Sequence, residues 1–124
     1  VKGKFATTTF DLSTVFGTLG LDRLDVDTLI QSPDFENIPD IGYEHGQMAI
    51  APFIKHFFPN ATVVPVIAAV STTEADWQEA AALLAPMVGP HTLIVQSTDY
   101  SHYLPLPTAI ERDQETLATI PATD

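Results

Sequence analysis

The apolar and polar positions change period along the chain, and those changes predict its elements. Ile50, Phe53, Ile54 and Phe57 recur at helical spacing and predict a helix over 44–58, with Pro52 disturbing its first turns. The run "ATVVPVIAAV" over 61–70 is continuously apolar and rich in Val, the pattern of a strand buried on both faces, with Pro65 at an edge or bulge. Ser71 and Glu74 have capping-box spacing and open a predicted helix to about Met87, striped by Trp77, Ala80, Ala81, Leu84 and Met87. Gly89 and Pro90 end it, and "TLIVQ" over 92–96 predicts the next strand. Pro105 and Pro107 prepare a last helix over 108–120. Nearer the N-terminus, "KFATTTF" predicts a short strand, "DLSTVFGTLGLD" a loop, and 25–31 a short helix stopped by Pro33. Two apolar strands joined by a helix make a βαβ unit with a parallel sheet. The expected class is therefore α/β, a three-layer sandwich with a mostly parallel sheet.

Composition narrows the function classes. The 124 residues suit one domain, 45% of them are hydrophobic, and 16 acidic against 5 basic residues give a net charge of −11. Such a surface is unsuited to nucleic acid and to anionic membrane. There is no cysteine, so disulfides and thiolate metal sites are excluded. No apolar run approaches the ~20 residues that span a bilayer, and no signal-peptide pattern opens the chain; the expected location is cytoplasmic.

The candidate chemistry lies in "STDYSHY", 97–103, where the apolar run 92–96 gives way to Asp99, Ser101 and His102. Sites in open parallel sheets form beyond the carboxyl ends of the strands. The helix over 44–58 returns antiparallel to the strand that follows it, and ~20 Å of helix matches ~26 Å of strand. Its first residues, Glu44 and His45, should therefore reach the edge that holds His102. His56 and His91 fall at the opposite edge, where His56 serves as a cation near a helix C-terminus. Asp99 is placed to orient His102 for acid–base work; an Asx-turn at Asp99 and a helix-start role for Glu44 are the structural alternatives. Ser101 lacks a nucleophile elbow, and two histidines do not complete a metal site.

These segments resemble a known family. "STDYSHY" is similar to the Ser-Ser/Thr-Asp-Phe/Tyr-Ser-His-Tyr element of Memo-like proteins, which include AmmeMemoRadiSam system protein B. "EHGQMAIAPFI" resembles their Glu-His-Ser-x-Glu-x-x-Leu-Pro-Phe helix, and "VVPVIAAV" their Val-Pro-Val strand, over roughly Phe5 to Ile120. The resemblance implies a fold related to class III extradiol dioxygenases, which bind non-haem iron. It implies His102 as general acid/base, His45 as a second site histidine and Asp99 in the same pocket, with Glu44, Tyr100 and Ser101 as binding residues. Gly46, Met48 and Ala51 depart from the family's serine, glutamate and leucine. The family's metal-ligand segments are expected before Phe5 and after Asp124. The chain is accordingly expected to be part of a Memo-like domain, with iron or another divalent metal held by ligands outside it. The expected partners are a small molecule or peptide, and a second copy or the remainder of the parent domain.

Overall fold

The computed structural model describes residues 3–120. It is a mixed α/β structure with two small three-stranded sheets and four helices. Strand β1 (Phe5–Thr7) is followed by a hairpin, β2 (Leu12–Thr14) and β3 (Gly17–Leu21), and by helix α1 (Arg23–Ile30). Next come β4 (Phe35–Asn37), a 3₁₀ turn (Ile41–Tyr43) and α2 (His45–Phe57). β5 (Thr62–Val63), β6 (Ile67–Ala68), α3 (Glu74–Leu84) and α4 (Leu106–Thr119) complete the order.

One sheet has the order β4-β1-β6, with β1 parallel to β4 and antiparallel to β6. The other has the order β2-β3-β5, with the hairpin antiparallel and β3 parallel to β5. Both sheets are therefore mixed. The first packs Phe5 and Phe35 against Leu29 of α1 and Ala80 of α3. The second packs Leu12 and Leu19 against Ile41 and Ala51, placing α2 over the hairpin.

Three sequence expectations are corrected. The run 61–70 is not one strand but two, β5 and β6, interrupted around Pro65, which has no N–H to give a ladder. Among the described residues the segment 92–96 joins no strand, so the βαβ unit expected around α3 does not form there. Its side chains are exposed, Ile94 by 74%. The stretch 11–22, expected as a loop, is the β2–β3 hairpin: Gly17 supplies a φ of 115°, and the Thr14 hydroxyl donates to the Gly17 carbonyl at 2.7 Å.

The capping box forms two residues later than expected. The Thr73 amide donates to the Asp76 carboxylate at 2.8 Å, and the Asp76 amide donates back to the Thr73 hydroxyl. The same Asp76 carboxylate lies 2.7 Å from Lys4 Nζ, which is also 3.1 Å from Asp34, tying the residue before β1 to α3 and to the turn before β4.

This pairing makes a pH prediction. Lys4, and then Thr73, hold the Asp76 carboxyl well below the ordinary aspartate range. Asp76, and then Asp34, push the Lys4 ammonium above its ordinary range. A depressed carboxyl contributes stability above its unfolded pKa, about 4, that is lost as pH falls through the folded value. A raised lysine contributes stability below its unfolded pKa, about 10.4, that is lost as pH rises through the folded value. Lys4→Met should therefore flatten the pH dependence of the urea midpoint at both extremes. The effect should be modest, because the groups meet solvent. Parallel curves for the two proteins would show that the pair is unlinked to folding.

Candidate functional site

α2 starts where the sequence places it, with Glu44 as its N-cap. The Glu44 carboxylate accepts from the Gln47 amide at 2.7 Å, which satisfies one of the open donors of the first turn. His45 is the first helical residue and is exposed. Gly46 follows, and a Cβ there would lie 3.2 Å from the Glu44 carboxylate and 3.6 Å from the Ser97 hydroxyl oxygen. Ser97 opens the "STDYSHY" segment. The start of α2 and the start of the candidate loop are thus in contact. The Gln47 side chain donates to the Val66 carbonyl at 3.0 Å and fixes this end of α2 to the linker between β5 and β6.

Within the loop, His102 Nε2 and Asp99 Oδ2 are 2.6 Å apart, and both side chains are open to solvent. The carboxylate is close enough to orient the imidazole. The Tyr103 ring lies 5.7 Å from the imidazole, and Tyr103 has the left-handed φ of 54°. The Ser101 amide donates to the Asp113 carboxylate of α4 at 3.0 Å. Tyr100 is exposed. Among the described residues no hydrogen bond or ion pair joins His45 to Asp99 or His102; the contact between the segments runs through Gly46 and Ser97.

The other two histidines take no part. His56 lies in the last turn of α2, its ring 4.8 Å from Phe16 and 4.9 Å from Phe57. His91 lines a mainly apolar cleft of about 570 Å³ between α2, the β5–β6 linker and residues 91–95. Gln47 of α2 lines the same cleft. Met48, which stands where the resemblance expects a glutamate, packs against the Leu12, Leu19, Ile41 and Ala51 cluster.

Among the described residues no three His, Asp or Glu side chains converge as a metal site. The described side chains therefore do not by themselves fit a divalent metal.

Sequence reasoning missed Ser97, Gln47 and Asp113. Ser97 and Gln47 act through contacts between distant segments, which a single sequence does not display. Asp113 left a readable signal: it interrupts the spacing of Leu106, Ile110, Leu117 and Ile120 along the last helix.

No curated protein and no solved structure matches the chain. A family model does, over residues 1–124, and its description is Memo-like protein. The "STDYSHY" loop, the "EHG" helix start and the Val-Pro-Val linker that carried the resemblance are thus features of a chain that belongs to the Memo-like family.

Proposed function

We propose that this chain carries the acid–base part of a site like that of the extradiol dioxygenases, acting on a small molecule. His102 is the general acid/base, Asp99 orients it, and His45 is a second proton carrier or substrate donor. Glu44, Tyr100 and Ser101 line the approach. The single observation that carries this reading is the 2.6 Å contact between His102 Nε2 and Asp99 Oδ2 on an open loop. A carboxylate at that distance is placed to orient the imidazole and to stabilise its charged form, the base-plus-orienter arrangement of acid–base sites. The proposed setting is a three-layer, mostly parallel sandwich completed by strands beyond those described, within a domain larger than this chain. The exposed run 93–95 beside the cleft supports such an extension. The metal of such a site would be held by ligands the described residues do not supply. The proposed location is the cytoplasm; no helix among the described residues is long and apolar enough to cross a membrane.

A second reading is a non-catalytic scaffold that binds a small molecule or peptide in the 570 Å³ cleft. Its support is the apolar lining and the packing of Met48 in place of an acid.

Titration with catechol, followed by amide and imidazole NMR, separates the two. The first reading predicts saturable shifts at residues 97–103 and at His45, abolished in His102→Ala. Shifts confined to Leu12, Ile54 and Val63 would support the scaffold. Shifts at neither place would remove the acid–base reading.

A further inference from the structure

We propose that Asp113 is a positioning residue for the His102 site, a role that rests on the acid–base reading above. Leu106, Ile110, Leu117 and Ile120 lie three or four residues from their neighbours in the α4 pattern, and Asp113 falls between Ile110 and Leu117 on the same face. Asp113 is half-buried while the apolar residues around it are exposed, which places its carboxylate against the loop rather than in open solvent. Its partner here is the Ser101 amide, at 3.0 Å.

Ser101 lies between Asp99 and His102 in the chain. From Leu93 to Leu104 no residue belongs to a helix or a strand. Among the described residues, no backbone–backbone hydrogen bond holds the stretch from Asp99 to Tyr103. The bond to Asp113 is therefore the tether that sets the path of the backbone joining the two members of the pair. It is charge-assisted, which places it among the stronger hydrogen bonds. Fixing the Ser101 peptide restricts the separation of the Asp99 and His102 Cα atoms, so the carboxylate meets Nε2 rather than sampling solvent. α4 thereby acts as a strut for the loop, and Asp113 touches neither substrate nor imidazole.

The test uses the full chain and three variants: Asp113→Ala, Asp113→Asn and Asp99→Asn. Alanine raises the helix propensity of α4, so any loosening of the loop in Asp113→Ala does not come from a weakened helix; circular dichroism checks this. Amide exchange at Ser101 should accelerate about tenfold or more in Asp113→Ala, the effect of losing a charged hydrogen bond. The His102 ring resonances should move toward those of Asp99→Asn. Asp113→Asn keeps a carbonyl acceptor and should restore both in part, a rescue that a merely structural role does not predict. Unchanged ring resonances in Asp113→Ala, when Asp99→Asn moves them, would overturn the positioning role alone. Ring resonances that do not respond to Asp99→Asn would remove the acid–base pair and the positioning role with it.

Discussion

Phe5→Ala is expected to destabilise the chain by about 3–5 kcal/mol, the cost of emptying a large aromatic site in a packed core. Phe5 is 2% exposed. Its ring stacks on Phe35 at 5.3 Å and meets the edge of Trp77 at 5.9 Å. It joins β1, β4 and α3, so its loss opens a cavity where one face of the sheet meets the helices. Domains are stable by only about 5–15 kcal/mol, and here the buried core consists of two small clusters. A large fraction of the Phe5→Ala protein should therefore be unfolded at 37 °C. Urea denaturation of the two proteins, followed by Trp77 fluorescence, measures the difference. A loss below about 1 kcal/mol would show that this cluster does not hold the fold.

The second large effect is association. Leu93, Ile94, Leu106, Leu117 and Ile120 are each more than half exposed, and α4 contributes no buried residue. Apolar surface on this scale drives contact between copies. The net charge of −11 opposes contact, but at physiological salt it is screened beyond ~8 Å. Sedimentation at micromolar concentration should show species larger than a monomer, more of them as salt rises. Leu106→Glu with Leu117→Glu should shift the population toward monomer by about tenfold or more. A monomer at every concentration and salt would mean that these side chains find cover within one copy.

The helices were legible in the sequence because their signals are local. Glu44 at a cap, followed by apolar residues at helical spacing, placed the second helix within one residue of its observed start. The last helix starts two residues before the expected position, at Leu106 just after Pro105. The strands were less legible, because a strand exists only where a partner meets it. Thr92 to Gln96 has the residues of a strand but joins none among the described residues. The hairpin over 12–21 has no alternating pattern and depends on one positive φ at Gly17 and on its cross-strand bonds. The candidate site divides in the same way. Asp99 and His102 are three residues apart, and their pairing could be anticipated from the chain alone. The bond from Ser101 to Asp113 depends on where α4 lies relative to the loop, and the contact between Gly46 and Ser97 on how segments 51 residues apart meet.

That last contact is what brings the two histidine-bearing segments to one place, as a site shared by His45 and His102 requires. It can be tested without a substrate. The chain has no cysteine, so Gly46→Cys with Ser97→Cys introduces one possible pair. A Cβ at Gly46 would stand 3.6 Å from the Ser97 hydroxyl oxygen, close to the reach of a disulfide. Mild oxidation of the double variant at low concentration should give an intramolecular disulfide in nearly every molecule, seen as a faster band on a non-reducing gel that dithiothreitol reverses. Free thiols throughout, or crosslinks only between copies, would contradict the shared site.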